Sequence, residues 1–388
     1  MDGDLRTREI SRRTLLKWSG AAGAMALSGT LSGCVPPQPT DPAADANGLV
    51  LHRGFTGRVI AMGGQHIPGT GHTFGGFPDG AATFVDPAVP GGWYHAVNHE
   101  VPFGGGGVSS LRFAPDGTIT DAYTICTNTS LNCAGGATPW GTWLTCEEHD
   151  AGVVWECDPT RPFSQVRRGA LGTFTHEAAA VATDDRVYLT EDRPDSGFYR
   201  FTPHTAGDLS TGLLEVATGA PGGVVTWKPV PDPAASSLPC RYQVPDSIPF
   251  HGGEGIDTDG HLVWFTTKGD NRVWEYNLDD STVSVRFQAG GGSVLSGVDN
   301  LVAHRPFGTV LVAEDGDNME VVALRPDNTA QSIVRIAGHP NSEVTGPTFS
   351  PDGQRLYFSS QRGPAGPMRF AVGVTFEVTG PFDDLLGR

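Results

Sequence analysis

Six times along the chain a turn leads into a short β-rich run that ends on a polar or acidic cluster, usually with a second β-rich run behind it. The copies are GWYHAVNHE at Gly92–Glu100, GTWLTCEE at Gly141–Glu148 with VVWEC after it, and RVYLTED at Arg186–Asp192 with GFYRFTP. They continue with HLVWFTTK at His261–Lys268 and RVWEYNL, TVLVAED at Thr309–Asp315 and MEVVAL, and RLYFSSQ at Arg355–Gln361. The spacing is roughly 45 to 50 residues, one longer gap excepted, which is the length of a four-stranded propeller blade. The sequence therefore predicts an all-β fold, a six-bladed β-propeller. The excess in the long gap, around Thr205–Pro245, predicts a loop or extra hairpin on one face. Composition agrees: 53 glycines and 30 prolines without a collagen-like period call for many tight turns, and long helical patterns are absent after the first forty or so residues.

A second regularity concerns chemistry. Ahead of each central run lies another apolar run that opens on a possible ligand: Cys133 in NCAGG, Glu177 in THEAAAVA, Glu254 in GGEGIDTDG, Asp299 in GVDNLVAH and Glu343 in SEVTGPTFS. Cys133 to Glu147, Glu177 to Glu191 and Glu254 to Lys268 share one offset, so these residues read as equivalent places in successive blades. In a propeller the innermost strands line the channel, and one such residue per blade makes a converging ring. Like charges so close raise each other's pKa and destabilise the fold, and metal ions relieve that. The densest stretch is NCAGGATPWGTWLTCEE, Asn132–Glu148, where thiols and carboxylates, soft and hard ligands, sit side by side.

Local turn chemistry accounts for much else. Pro-Asp-Gly at Pro78, Pro115 and Pro351 reads as turns, Gly104–Gly107 as a flexible turn because no helix pattern follows it, and His52, His66, His204 and His261 as surface or turn residues. The net charge of -17, with no local basic cluster, repels nucleic acids and anionic membranes.

The N-terminus reads as an address. Arg12-Arg13 precede an uncharged Ala/Gly/Ser-rich run from Trp18 to Gly33, too short and too weakly apolar to span a bilayer, which resembles a twin-arginine signal. It closes on LSGC, a lipobox-like end with Cys34 as the acylated residue. Residues 1–34 are thus expected to be signal, 35–48 a Pro-rich linker, and 49–388 the propeller domain. That leaves Cys126, Cys133, Cys146, Cys157 and Cys240. In an oxidising compartment this odd number leaves at least one unpaired; Cys126 with Cys157 and Cys133 with Cys146 are both conceivable bridges.

NCAGG with TPWGTWLTCEE, VNHE at Val97–Glu100, THEAAAV with VYLTEDR, EGIDTDGHLVWFTTKGD, VDNL with LVAEDGDN, and SEVTGPTFSPDG together resemble the PhoX-type alkaline phosphatases, in order from about Leu49 to the C-terminus. The resemblance implies a compact member of a family of exported propellers that hydrolyse phosphate monoesters at a Ca2+ and Fe3+ cluster in the channel. It implies Cys133 as the thiolate ligand with Cys146 in reserve, and Glu177, Glu254, Asp299 and Glu343 as first oxygen ligands. Glu147, Glu148, Glu191 and Glu314 would complete the shells, and Arg193, Lys268 and Arg362 would hold phosphate oxygens. No serine stands where a covalent route would need one. The expected partner is a small phosphate ester, with membrane contact only through the lipid anchor, in a monomeric chain. Two other readings are a non-catalytic calcium- or ligand-binding propeller and a different metal-dependent hydrolase such as a lactonase; metal content and substrate profile separate them.

Overall fold

The computed structural model describes residues 43–305, 308–316, 318–365 and 372–386. The signal, Cys34 and most of the linker lie outside these residues. The first two strands, β1 (Leu49–Leu51) and β2 (Thr56–Met62), belong to blades completed much later. Blade 1 follows as β3 (Pro78–Val85), β4 (Trp93–His99), β5 (Gly106–Phe113) and β6 (Ile119–Thr129). Blade 2 is β7 (Gly136–Ala137), β8 (Trp143–Cys146), β9 (Val154–Cys157) and β10 (Val166–Arg167). Blade 3 has five strands: β11 (His176–Val181), β12 (Val187–Glu191), β13 (Phe198–Thr205), β14 (Asp208–Gly219) and β15 (Val225–Pro229). Blade 4 comprises β16 (Gly253–Thr258), β17 (Leu262–Thr267), β18 (Arg272–Asn277) and β19 (Thr282–Gln288). Blade 5 is β20 (Val298–His304), β21 (Thr309–Glu314), β22 (Glu320–Leu324) and β23 (Ala330–Ile336), and blade 6 is β24 (Val344–Phe349), β25 (Arg355–Ser360) and β26 (Val374–Thr379).

Each blade is an antiparallel meander, and the innermost strands β3, β7, β11, β16, β20 and β24 touch in sequence until β24 meets β3. This is the six-bladed propeller that the repeats predict. Two closures were not legible in them. Strand β2 adds the fourth position of blade 6, with Thr56 opposite Thr379 and Met62 opposite Val374, and β1 adds a fifth strand to blade 5, with Leu49 opposite Ile336. The long gap resolves into β15 and a short 3-10 turn at Cys240–Tyr242. No helix among the described residues is long and apolar enough to cross a membrane.

The second strands read as unbroken apolar runs because both of their faces are buried. Along β12, Val187 and Leu189 pack into the cluster shared with blade 2, while Tyr188 between them packs into the cluster shared with blade 4. The same division repeats around the ring and leaves an apolar cluster between every neighbouring pair of blades. At roughly 1.5–3 kcal/mol for each large apolar side chain fully buried, these interfaces hold the ring. At the axis the first strands press together so closely that a Cβ on Gly136 would collide with the Ala179 carbonyl.

One local reading is corrected. Pro115 and Pro351 do begin turns, but Pro78-Asp79-Gly80 opens strand β3, with Pro78 opposite His99 and Asp79 buried. Proline is tolerated as the first residue of a strand, so the turn-like tripeptide can start an inner strand. Gly104 and Gly105 are in a turn, as expected, whereas Gly106 and Gly107 begin β5. His66, His204 and His261 are exposed, and His52 reaches the Ser332 carbonyl at 2.7 Å.

Candidate metal centre

Strand register decides which side chains reach the axis. Pro78 stands opposite His99, Asn132 opposite Glu147, His176 opposite Glu191, Gly253 opposite Thr267 and Val298 opposite Glu314. One residue after Pro78, Asn132, His176, Gly253 and Val298 come Asp79, Cys133, Glu177, Glu254 and Asp299, all buried. One residue past the partners His99, Glu147, Glu191, Thr267 and Glu314 come Glu100, Glu148, Asp192, Lys268 and Asp315, all partly exposed. Blade 6 departs from the pattern: Val344 faces Ser360, Gln361 follows, and Glu343 enters from just before the strand. The channel therefore carries a buried tier and, toward one mouth, a half-exposed tier.

Ligand atoms in four overlapping groups lie within 4.8 Å of one another: Asp79, Glu100 and Cys133; Cys133, Glu148 and Glu177; Glu177, Glu254 and Asp299; Asp299, Asp315 and Glu343. Cys133 Sγ is 3.1 Å from Glu177 Oε1 and 3.7 Å from Asp79 Oδ1. Of the ligands expected from the sequence, Cys133, Glu148, Glu177, Glu254, Asp299 and Glu343 are brought together. Asp79, Glu100 and Asp315 are additions. Asp79 was hidden by its turn-like context, and Glu100 and Asp315 by a register read one residue short.

That slip also explains which expected ligands stand elsewhere. A one-residue shift on a strand moves a side chain to the other face. Lys268 is equivalent to Glu148 and Asp192, and Glu147 and Glu191 are equivalent to Thr267. Glu147 accepts from Ser130 N and Trp155 Nε1, each at 2.9 Å, and Glu314 accepts from Ser296 N at 2.6 Å. Glu191 accepts from Tyr199 OH and Arg241 Nη1, each at 2.8 Å, and from Gly197 N at 3.0 Å. These three carboxylates bind the backbone and side chains of neighbouring loops and belong to none of the four groups. Replacing Glu191 by alanine leaves the largely buried Arg241 with only the half-exposed Asp195, at 3.2 Å, as counter-ion among the described residues, and is expected to cost about 3 kcal/mol in denaturant unfolding while bound metal stays unchanged. Loss of metal at unaltered stability would return Glu191 to the ligands.

The Trp-rich block positions the thiol. Trp143 Nε1 donates to Asn98 Oδ1 at 2.8 Å, and the Asn98 amide donates in turn to the carbonyls of Cys133 and Ala134. The VNHE and TPWGTW segments are thus one device that fixes the Cys133 backbone. Cys146, by contrast, is buried in the apolar cluster between blades 2 and 3. Threonines of the second strands hold the next blade: Thr190 Oγ1 donates to the Glu254 carbonyl and Thr266 Oγ1 to the Asp299 carbonyl, each at 2.5 Å.

Electrostatically the ring is under-compensated. Burial, then the Asp299 carboxylate, pushes Asp79 up to about 6. Burial and neighbouring carboxylates also hold Glu100, Glu148, Glu177, Glu254 and Glu343 well above the ordinary carboxylate range, and burial with Asp79 and Glu177 raises the Cys133 thiol. Glu177 Oε2 is buried without a hydrogen-bond partner. Among the described residues, the cationic side chains that pair with the ring are confined to one half. Lys268 Nζ lies 2.9 Å from Asp299, 3.3 Å from Asp315 and 3.4 Å from Glu254, and Arg362 Nη2 lies 2.9 Å from Glu343. Among the described residues no lysine or arginine makes an ion pair with Asp79, Glu100, Glu148 or Glu177. Arg193 stays at the rim, 2.5 Å from the exposed Asp150. Beyond the buried tier the channel widens into a cavity of about 630 Å³ lined by small residues such as Gly80, Ala134, Ala178 and Gly255.

Comparison with known proteins bears on this arrangement. The family model described as alkaline phosphatase PhoX matches residues 105–152 and 148–247, and that of the twin-arginine translocation signal matches residues 9–29. No curated protein sequence matches the chain. Among solved structures, Pseudomonas fluorescens PhoX in complex with vanadate, a transition state analogue, is similar with a TM-score of 0.71 at 19% identity, over 87% of this chain and 97% of that one. A structural-genomics protein of unknown function from Bacteroides thetaiotaomicron has a TM-score of 0.50 at 8% identity, over 84% and 76%. The calcium-binding protein regucalcin from Agrobacterium tumefaciens has a TM-score of 0.47 at 14% identity, over 84% and 96%. The structural likeness establishes the fold, and the sequence match covers the Trp-rich block and blade 3. Over residues 105–247 the chain is similar to the alkaline phosphatase PhoX family, and over residues 9–29 it matches a twin-arginine export signal.

Proposed function

We propose that this chain is an exported, metal-dependent phosphatase that hydrolyses phosphate monoesters at the mouth of its channel. The observation that carries this reading is the ring of carboxylates and one thiol, with Lys268 and Arg362 at its edge. The donor set suits the ions that we assign. The two groups containing Cys133 combine a thiolate with carboxylates, as ferric iron accepts, and the two oxygen-only groups suit calcium. The unpartnered Glu177 oxygen and the raised carboxylates fit bound cations, which would remove the repulsion.

Bound there, the ions would reverse the local potential for an anionic ester and supply Lewis-acid charge at the phosphoryl group. The chain's own part is positional. Asn98 and Trp143 fix the Cys133 segment, and the threonine bonds fix the Glu254 and Asp299 segments, so the ring is organised before substrate arrives. Lys268 and Arg362 are the groups that we assign to phosphate oxygens, with Arg193 at the rim. Lys268 is held protonated: burial opposes its charge, but Asp299 and Glu254 outweigh burial and raise its pKa. Lys268→Met is expected to lower kcat/KM about 100-fold with ions retained; unchanged kinetics would remove Lys268 from the site. We further propose a monomer, anchored through Cys34 at the cell surface.

The decisive experiment is elemental analysis of protein recovered after twin-arginine export, paired with a phosphomonoester assay with and without added calcium. Iron together with calcium, and hydrolysis stimulated by calcium, is the expected result. Calcium alone without hydrolysis would overturn the phosphatase reading in favour of a binding propeller.

A further inference from the structure

The fold sorts the five described cysteines by environment. Cys133 faces the channel, Cys146 is in the cluster between blades 2 and 3, and Cys240 sits in its 3-10 turn with Sγ 3.6 Å from the Pro233 carbonyl. Cys126 and Cys157 share one buried cluster. They come from β6 at the outer edge of blade 1 and from β9 of blade 2, both fully buried in the apolar cluster that joins these blades. Both are free thiols in this structure, and the neighbouring Cys126 thiol, together with burial, raises the pKa of Cys157.

The surrounding backbone keeps them together. The turn after Cys157 is docked on blade 1: Ser110 Oγ and Tyr123 OH donate to the Pro159 carbonyl at 2.7 and 3.0 Å. The amides of Phe163 and Ser164 donate to the carbonyls of Thr124 and Ile125, which immediately precede Cys126, each at 3.0 Å. The chain belongs to a reducing compartment while it folds, and its signal directs it to an oxidising one.

We propose that Cys126 and Cys157 are joined as a disulfide in the exported protein, a covalent staple between blades 1 and 2. The oxidant is a disulfide-carrying thiol oxidoreductase of the receiving compartment. One cysteine thiolate attacks the oxidase disulfide and displaces one of its sulfurs; the other thiolate then attacks the mixed disulfide and releases the oxidase as a dithiol. Two electrons pass to the oxidase with the protons it needs. Because both sulfurs are buried, exchange proceeds when the 158–164 turn, with its exposed Phe163, lifts from blade 1. The staple leaves Cys133 a thiol, and it does not depend on whether the ring is catalytic.

The test uses the full chain, recovered after export, unfolded in alkylating reagent without reductant, digested and mapped by mass spectrometry. The expected result is a peptide pair linked through Cys126 and Cys157, with Cys133, Cys146 and Cys240 alkylated. The same chain without its signal, retained in the cytoplasm, should carry the alkyl group on all five. Five alkylated residues in the exported protein, or a bridge that includes Cys133, Cys146 or Cys240, overturns the proposal. As a second readout, reduction should lower the Tm of the exported protein by roughly 5 °C and leave that of Cys126→Ala/Cys157→Ala unchanged; equal shifts in the two proteins would exclude a stabilising staple.

Discussion

Replacing Cys133 by serine is expected to remove iron from the purified protein and to lower phosphomonoester hydrolysis about 1,000-fold. The thiol lies between two carboxylates, 3.1 Å from Glu177 and 3.7 Å from Asp79, and its pKa is raised by burial and by both of them. A thiolate there is stable only beside a cation, and serine offers a neutral, harder oxygen in nearly the same volume. Losing an ion that supplies several kcal/mol of transition-state stabilisation accounts for the magnitude. The metal-free Tm should barely move, because packing around the side chain is preserved. Cys146→Ala is the control: its sulfur is in the apolar interior, so it should cost about 1–2 kcal/mol of stability and leave the iron in place. Iron retained in Cys133→Ser at wild-type activity would refute the assignment of Cys133 as a ligand.

Chelation is expected to reverse the pH dependence of stability. In the ion-free ring Asp79 has a folded pKa of about 6 against an ordinary 3.8, so the folded state binds the proton more tightly than the unfolded chain. Its contribution is fully present below about pH 4 and is lost as pH rises through 6, which for this residue alone is worth about 3 kcal/mol. Glu100, Glu148, Glu177, Glu254 and Glu343 are raised in the same direction and extend the loss to higher pH. Bound ions invert the sign, since they require deprotonated ligands and bind more tightly as pH rises. Thermal unfolding from about pH 4 to 8 should therefore show Tm falling in chelator and holding or rising with calcium and iron present. Parallel profiles in the two conditions would mean that the ring does not hold ions.

Much of this was readable beforehand for one physical reason. A blade repeats its burial pattern, so apolar runs such as VYL, LVWF and VLVA recur wherever a strand is covered on both faces. The inner tier was readable for the same reason at Cys133, Glu177, Glu254, Asp299 and Glu343. Asp79 escaped because Pro-Asp-Gly favours a turn locally and only the neighbouring strands pull it into β3. Glu147, Glu191 and Glu314 misled because adjacent carboxylates differ by one residue and by opposite faces, and pairing register is a long-range property. The shared burial of Cys126 and Cys157 likewise depends on how two blades dock.

Blade 6 is built from segments far apart in sequence, with Thr56 hydrogen-bonded to Thr379 across 323 residues. During synthesis Thr56 on β2 emerges 323 residues ahead of its partner Thr379. Gln361 from the late half also meets Asp79 from the early half at 2.8 Å, so the ion-binding ring cannot assemble on a partial chain. A prematurely terminated product keeps its export address but neither a closed ring nor a place for ions. An export route that carries folded proteins would then proofread synthesis, with metal loading as the mark of a finished chain.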